Sequence, residues 1–390
     1  MLPRTLGLGG GIALAVGSVA GSGILFLPSV VLVIAGSDAL LVWVCAALAC
    51  VPLLLVFGSM VRLVPDGSGL EGFVALGLGR RAAAAVPALF LVIAFPAGAA
   101  ATLVAGGYLE AAVGGGGAVR LAGALAIWVA TTWMNLRGAV GFQIAVMWAL
   151  LVAALALVGL TVDDARGGYD AVVPSWGGVG PVAHGVLVAF WAFAGFENMT
   201  FVAGELRNPR RDYLVAVVVA LGGYCVLAML LTANLGAVVP RAEVDDLAGL
   251  AQLAAFVPGG VAVLAVLALL LVQANTASWT WGLSRLLYSA AREGRLPRWF
   301  AVVDRRGLPR RAVLAFTVPT AVCTCAAAVW PGLVLPFVTG ASAVFVTLYA
   351  LAVASFIAVR RAARAGRSRT PIPDRSPPDP QPAAGSSARS

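Results

Sequence analysis

Apolar residues are grouped along this chain into ten long stretches, and short segments between them carry most of the charges. The stretches lie at 7–35, 39–63, 83–113, 117–136, 140–161, 183–203, 213–237, 259–288, 312–330 and 332–358. Each is close to the roughly 20 residues that a helix needs to cross the hydrocarbon core of a bilayer. The pattern therefore predicts an all-α polytopic membrane protein with ten transmembrane helices.

Composition agrees with a chain that is mostly out of water. Of its 390 residues, 61% are hydrophobic and 11% are charged, whereas soluble domains carry about 25% charged residues. The first residues run directly into an apolar stretch, so we expect a signal anchor and not a cleaved leader. The five cysteines lie inside apolar stretches without metal-ligand spacing, and His184 is the only histidine. We therefore expect no metal and no other cofactor.

The distribution of arginine predicts the orientation in the membrane. All 26 basic residues are arginines, and only Arg120, Arg166 and Arg241 fall on the side opposite to the other 23. Because cytoplasmic loops are rich in basic residues, we expect both termini in the cytoplasm and the protein in the plasma (inner) membrane. Topology thus accounts for the net charge of +9, and no nucleic-acid partner is expected.

Two of the stretches contain residues that weaken a helix at their centre. The first reads AGSGILFLPS, with the break at Gly21, Ser22 and Gly23, and the sixth reads FWAFAGFENM, with the break at Ala194 and Gly195. Each opens a block of five stretches, 7–161 or 183–358, and the two blocks cross the membrane in opposite directions. Matching interruptions in inverted halves indicate the substrate site of a transporter.

A broken helix leaves backbone groups without partners at membrane depth. Amide N–H groups at the start of the second half suit a carboxylate, and carbonyls at the other break suit an ammonium group. Together they predict a site for a zwitterion. Glu197 follows the second break, and an intramembrane carboxylate is a functional candidate. Trp191 lies three residues before that break and is predicted to line the cavity.

Each of these features also has a purely structural interpretation. The Gly21–Gly23 segment can be a small-residue contact between helices, and Glu197 can hydrogen-bond to a neighbouring helix. His184 and Glu110 lie near the ends of stretches and are better explained as interfacial residues. Segment 62–81 is predicted to form a short interfacial helix. An intramembrane serine or aspartyl enzyme is disfavoured because the chain has no G-x-S-x-G sequence and no pair of deep aspartates.

Five segments in order resemble the amino acid–polyamine–organocation (APC) superfamily of transporters. They are GSGILFLP, LVPDGSGLEGFVALGLGR, NLRGAVGFQ, FWAFAGFENMTFVAGELRNPRRD and SRLLYSAAREGRLPRWFAVVDRRGLPRRA. The resemblance covers about residues 5–358 and is strongest to bacterial exporters of methionine and branched-chain amino acids. It implies the LeuT fold, a 5+5 inverted repeat of ten helices in which helices 1 and 6 are broken.

The resemblance also implies which residues bind and gate. Backbone amides around the first break would hold the substrate carboxylate, carbonyls beside both breaks would hold its amino group, and Trp191 and Trp279 would enclose its side chain. Trp191 and Glu197 would act in gating or coupling. The implied substrate-binding residues are Val19, Gly21, Ser22, Gly23, Ile24, Trp191, Ala194, Gly195 and Trp279.

Departures from the family limit what the resemblance implies. Many relatives carry a lysine in the fifth helix where others bind sodium, and this chain has none. Most have two further helices after the tenth, so an inherited dimer interface is doubtful and the protein is expected to be a monomer or a homodimer. Apart from Glu197 the expected pocket lacks an anionic side chain, which favours neutral substrates.

The sequence therefore predicts a secondary active transporter that exports or exchanges neutral apolar amino acids such as Met, Leu, Ile and Val by alternating access. A proton is the favoured driving ion, and sodium or exchange coupling stays open. The alternatives are an importer of the same superfamily, an amino acid sensor without transport, or a channel. We expect a core at 1–358, and at 359–390 a disordered basic, proline-rich cytoplasmic tail that touches anionic lipid.

Overall fold

A computed structural model gives the fold of the chain. It describes residues 7–19, 21–61, 63, 69–137, 143–193, 196, 199, 206–292, 294, 296–305 and 307–365. Within these residues the chain forms fourteen α-helices joined by short connections and single 3-10 turns.

The first half of the chain contains eight of these helices. They are α1 (Leu8–Val19), α2 (Gly23–Ala35), α3 (Ala39–Met60), α4 (Gly69–Leu78), α5 (Arg80–Ala83), α6 (Ala85–Val113), α7 (Gly117–Arg137) and α8 (Gln143–Ala165). The second half contains six, which are α9 (Val179–Ala189), α10 (Pro209–Val238), α11 (Gly249–Ala254), α12 (Gly260–Arg292), α13 (Arg310–Val329) and α14 (Val334–Arg364).

Eight helical segments of the described chain are long and apolar enough to cross a membrane. The sequence predicts ten, and two predicted stretches account for the difference. The segment Gly23–Met60 combines α2 and α3, because only the 3-10 turn Gly36–Asp38 separates them. The sixth stretch corresponds to the shorter apolar helix Val179–Ala192, after which most residues to 205 lie outside the described chain.

The predicted interruption of the first stretch is present. Helix α1 ends at Val19, Gly21 and Ser22 form a turn, and α2 begins at Gly23. In the sixth stretch the α-helix ends at Ala189 and continues as the 3-10 turn Phe190–Phe193. The predicted break at Ala194 and Gly195 lies outside the described residues.

Helix ends differ from the predicted boundaries where polar residues allow the helix to continue. The helix α14 runs to Arg364, six residues into the segment that was assigned to the tail, and 366–390 lie outside the described chain. Basic side chains in a last turn favour the negative end of the helix dipole, which explains why Arg361 and Arg364 extend α14. Segment 62–81 contains the predicted short helix as α4, which packs on α14.

Helices near the break pack as one group. Helix α1 lies against α10, α2 lies against α9 and α10, and α3 lies against the same two helices. Helices α6 and α7 form a hairpin across Gly114–Gly116, and both pack on α12 and α13. Both halves of the first stretch therefore pack on α10, and its second half also packs on α9; these two helices belong to the second half of the chain.

Buried polar side chains connect the helices. The indole nitrogen of Trp43 donates to Thr232 Oγ1 at 3.0 Å, and that of Trp128 donates to Thr102 and Thr324 Oγ1 at 3.1 Å each. Each such bond contributes about 0.6 kcal/mol in a membrane. Large apolar side chains on the outside, such as Leu48 and Val152, are exposed, as expected for helices that face lipid.

Candidate functional site

The turn between α1 and α2 exposes backbone at the centre of the helix group. Val19 is the last residue of α1, and Gly21 and Ser22 lead into α2, which begins at Gly23. The first N–H groups of a helix and its last carbonyls have no partner within the helix. The amides of Gly23 and Ile24 therefore lie at the positive end of α2, and the carbonyls of the last turn of α1 lie on the opposite side of the turn.

Ser22 is almost completely buried, with 5% of its surface exposed. It has helical backbone angles, φ −58° and ψ −18°, and its side chain makes no capping hydrogen bond. Its carbonyl accepts the Leu25 amide at 3.1 Å. The hydroxyl of Ser22 is thus held at the start of α2 without capping it.

The helix that follows the turn is fixed by a contact from α6. The hydroxyl of Tyr108, which is fully buried, donates to the carbonyl of Leu25 at 2.5 Å. Pro28 lies inside α2 and has no N–H, so the carbonyl of Ile24 also lacks its usual helical donor. The first turn of α2 is therefore tied to α6 through the Leu25 carbonyl, while the Ile24 carbonyl has no donor from Pro28.

Trp191, one of the predicted site residues, lies directly beside the turn. Its ring packs edge-on against Phe26, with centroids 5.5 Å apart and an interplanar angle of 82°. A Cβ atom added to Gly23 would lie 3.2 Å from Trp191 Cδ1. Trp191 belongs to the 3-10 turn Phe190–Phe193, which follows the end of α9 at Ala189.

Tyr224 of α10 is a second aromatic neighbour of the turn, which sequence reasoning missed. Its hydroxyl oxygen lies 3.0 Å from the position of an added Gly23 Cβ. This oxygen is buried and has no hydrogen-bond partner among the described residues. The Tyr224 ring packs at 6.3 Å from Trp43, whose own indole nitrogen is bonded to Thr232 of α10. A tyrosine in an apolar stretch was the available signal, but the sequence does not show which way it points.

Asn275 of α12 is the other residue that sequence reasoning missed. A Cβ atom added to Gly21 would lie 3.0 Å from its Nδ2 atom. The next residue, Thr276, shares a hydrogen bond of 2.9 Å with Thr131 of α7, and Asn135 of α7 donates to the Ala277 carbonyl at 3.1 Å. These bonds fix α12 against α7 and hold the Asn275 amide close to the turn.

Trp279 lies one helical turn after Asn275. Its ring neighbour is Phe90 of α6, with centroids 6.4 Å apart. Further rings continue from Phe90 in pairs, with centroids 4.9 to 6.3 Å apart, and they belong to Phe345, Tyr349, Phe57 and Phe196. Trp279 is therefore packed at one end of an aromatic cluster, and no ring contact between Trp279 and Trp191 is found among the described residues.

The remaining predicted site residues lie at or beyond the limit of the described chain. Ala194, Gly195 and Glu197 are outside it, and for Val19 only the backbone is described. The structure therefore brings together Gly21, Ser22, Gly23 and Trp191, and adds Tyr224 and Asn275 to them. The side chains closest to Cβ positions added at Gly21 and Gly23 belong to Asn275, Tyr224, Leu27 and Trp191, which are uncharged.

The other end of α2 is fastened to two loops. Arg241 donates to the Val33 carbonyl through Nε at 3.0 Å and through Nη2 at 2.6 Å, and also to the Ile34 carbonyl at 3.2 Å. The carboxylate of Asp38 accepts the backbone amides of residues 175–177, including that of Trp176 at 2.9 Å. A guanidinium at a helix C-terminus neutralises the negative end of the helix dipole.

Similarity to known proteins agrees with this architecture. The amino acid permease family matches residues 6–377 of the chain. The L-methionine/branched-chain amino acid exporter YjeH of Escherichia coli is 28% identical over 224 residues, which is 56% of this chain and 53% of the relative. The uncharacterized amino acid permease YecA of Bacillus subtilis is 26% identical over 350 residues, 87% of this chain and 81% of the relative.

A third relative, the uncharacterized transporter Rv1999c of Mycobacterium tuberculosis, is 34% identical over 209 residues, 49% of this chain and 45% of the relative. The matched regions thus cover about half the length of the E. coli and M. tuberculosis proteins. Together with the eight apolar helices, these matches identify a multi-pass membrane protein.

Proposed function

This chain belongs to the amino acid permease family, and we propose that it is a secondary active transporter that exports or exchanges neutral apolar amino acids. The observation that carries the proposal is the interrupted helix at Gly21–Gly23, where helix-end N–H and C=O groups, which have no partner within a helix, meet the hydroxyl of Tyr224, which has no partner among the described residues. Non-helical backbone at membrane depth is tolerated where it is buried in protein or lines a cavity. A bound zwitterion would supply the partners that these groups lack.

The substrate would lie across the turn. Its carboxylate would accept from the amides of Ser22, Gly23 and Ile24, and its ammonium group would donate to carbonyls near Val19 and in the segment from Trp191 to Gly195. Trp191 and Trp279 would bound its side chain. The proposal includes the LeuT-type fold, an inverted repeat of ten helices. It also includes a location in the plasma membrane with both termini in the cytoplasm.

The uncharged side chains that lie closest to Gly21 and Gly23, those of Asn275, Tyr224, Leu27 and Trp191, favour a substrate with a neutral side chain. The exporter name of the E. coli relative favours Met and branched-chain amino acids. An apolar pocket distinguishes one methylene by only about 1–3 kcal/mol, so we expect loose selection among Met, Leu, Ile and Val. Transport needs no covalent chemistry, since alternating access moves one group of helices against the other around a fixed site.

The test is uptake and counterflow of radiolabelled amino acids in oriented proteoliposomes containing the full chain. We expect Met, Leu, Ile and Val to exchange and to compete with one another, and Arg to do neither. Stimulation of flux by unlabelled substrate on the opposite side supports a carrier. Label that equilibrates without such stimulation would identify a channel, and binding without flux would identify a sensor. An importer and an exporter would be distinguished by the direction in which the physiological ion gradient drives net amino acid flux.

Coupling is tested by imposing a pH gradient on the same vesicles. If Glu197 carries the coupled proton, Glu197→Gln abolishes pH-driven flux and retains exchange. The matched control is Glu243→Gln, which makes the same change at an exposed residue of a loop. Unchanged pH dependence in Glu197→Gln would exclude the coupling role, and sodium dependence would identify the alternative driving ion.

A further inference from the structure

A cleft of about 680 Å³ lies where α7 ends and the chain connects α12 to α13. Its lining residues come from these two places, and they are Trp133, Leu136, Arg137, Asp304, Arg305 and Arg310. None of them contributes to the turn at Gly21–Gly23. The cleft lies at the end of the α6–α7 hairpin where α7 ends and α6 begins, and the preceding short helix α5 carries Arg80 and Arg81.

Positive charge in the cleft exceeds negative charge. Its carboxylate, Asp304, accepts from Arg310 Nε at 2.7 Å and from the Leu308 amide at 2.9 Å. In the part of the chain that the structure describes, neither Arg137 nor Arg305 forms an ion pair with a carboxylate. Two guanidinium groups are therefore left to attract an anion, and guanidinium groups bind phosphate oxygens in pairs of parallel hydrogen bonds.

One wall of the cleft is apolar and belongs to a lipid-facing helix. Trp133 is 53% exposed, and the Arg137 guanidinium lies 4.6 Å from the centre of its ring. Only 28% of the most apolar 18 residues of α7 are buried inside the protein, which leaves much of this helix free to contact lipid. Tryptophan is enriched where acyl chains meet headgroups.

We propose that this cleft binds the phosphate of an anionic phospholipid, with Arg137 and Arg305 as its ligands. The apolar wall formed by Trp133 and Leu136 would contact the upper part of the acyl chains. Basic pockets between helices on the cytoplasmic side of a membrane bind lipid headgroups in this way. Free phosphate shares the same chemistry, but it would gain nothing from the apolar wall, and for this reason the lipid is the favoured source.

The experiment measures lipid binding to the purified full-length protein by native mass spectrometry, with thermal stability in mixed micelles as a second readout. Phosphatidylglycerol is compared with zwitterionic phosphatidylcholine. We expect saturable binding of phosphatidylglycerol that falls about fivefold for each arginine removed, and so about 25-fold in the double variant Arg137→Gln/Arg305→Gln. The control Arg80→Gln/Arg81→Gln removes the same charge outside the cleft and should change affinity less than twofold.

Equal binding of both lipids, equal losses in the two double variants, or no loss in either would overturn the proposal. If inorganic phosphate alone stabilises the protein in phosphatidylcholine micelles and competes with phosphatidylglycerol, the site belongs to a soluble anion and not to a lipid. Should Arg137→Gln/Arg305→Gln fail to fold, Arg305→Gln alone decides the question. Arg305 is exposed in a connection, and its loss should still reduce phosphatidylglycerol binding about fivefold.

Discussion

The hydroxyl oxygen of Tyr224 lies 3.0 Å from the point where Gly23 would carry a Cβ atom. Glycine thus leaves room at the first turn of α2 for a buried hydroxyl that has no partner among the described residues. An unsatisfied buried polar group costs about 1–3 kcal/mol. The protein would tolerate this cost without substrate if the hydroxyl forms a hydrogen bond to the substrate when it is bound.

Replacing Tyr224 with Phe should separate stability from affinity. We expect unchanged or higher thermal stability without substrate, because the variant removes an unsatisfied hydroxyl. Substrate affinity should fall about tenfold or more, because a hydrogen bond to a charged group contributes about 1.5–3 kcal/mol. Thermal unfolding in detergent and equilibrium binding of a transported amino acid measure the two effects.

Tyr169→Phe is the matched control for this pair of measurements. The Tyr169 hydroxyl donates to Asn234 Oδ1 at 2.9 Å, away from the turn. Its removal should lower stability by about 1 kcal/mol and leave affinity unchanged. Wild-type affinity in Tyr224→Phe would show that its hydroxyl does not contact the substrate.

Adding a single methyl group to Gly23 should close the site. Its Cβ would lie 3.0 Å from Tyr224 Oη, 3.1 Å from Leu27 Cδ1 and 3.2 Å from Trp191 Cδ1. These distances are tighter than most Cβ contacts, so the three side chains would have to shift by a few tenths of an ångström, and the methyl would also block the approach of a carboxylate to the amides. We expect Gly23→Ala to abolish measurable substrate binding.

The control for this change is Gly222→Ala, in the helix that carries Tyr224. A Cβ atom at Gly222 has open space around it, so binding and transport should stay within twofold of the wild type. Retained binding in Gly23→Ala, or equal loss in both variants, would contradict the placement of substrate at this turn.

The interruption of the first helix could be predicted because its cause is local. Three residues that weaken a helix, Gly21–Gly23, interrupt an apolar stretch, and that pattern is visible in the sequence. Trp191 could be predicted to lie deep in the membrane because it precedes the second predicted break by only three residues. The number of helical segments differs because the polar residues at 36–38, which divide two stretches in the sequence, form a 3-10 turn that joins α2 and α3 into one continuous segment. The sixth stretch is represented by the shorter helix Val179–Ala192.

Tyr224 and Asn275 could not be assigned in the same way. Both are isolated polar residues in apolar helices, and hydropathy does not indicate whether such a side chain points to lipid, to a neighbouring helix or to a site. That direction depends on how α10 and α12 pack, through bonds such as Thr131–Thr276. Such contacts join residues more than 100 positions apart, so they become visible only once the chain is folded.

We predict that Trp191 contributes to substrate affinity by packing against the substrate side chain and not by a hydrogen bond. Its ring packs edge-on against Phe26 and bounds the space above Gly23. Trp191→Leu should weaken binding of Met, Leu, Ile and Val by similar factors and admit larger aromatic amino acids as competitors. A competition panel with Phe and Trp measures this, and a loss restricted to one of the four aliphatic substrates would contradict a general wall.

The far end of α2 offers a test of how that helix is held. Gly36 has φ +58°, and a Cβ atom there would lie 2.7 Å from Arg241 Nη1. Arg241 in turn binds the last carbonyls of α2, a contact that contributes about 0.3–1 kcal/mol for an exposed side chain such as this one. Arg241→Gln and Gly36→Ala should therefore each lower thermal stability.

Because both substitutions act on one contact, their effects should not add. Once Arg241→Gln has removed the guanidinium, Gly36→Ala costs only the backbone strain of about 1–3 kcal/mol, so the double variant should lose less free energy than the sum of the single losses. Gly332→Ala, in open space, is the control and should stay close to wild type. Additive losses would mean that Gly36 and Arg241 stabilise α2 independently, and that the glycine is required for its backbone angle alone.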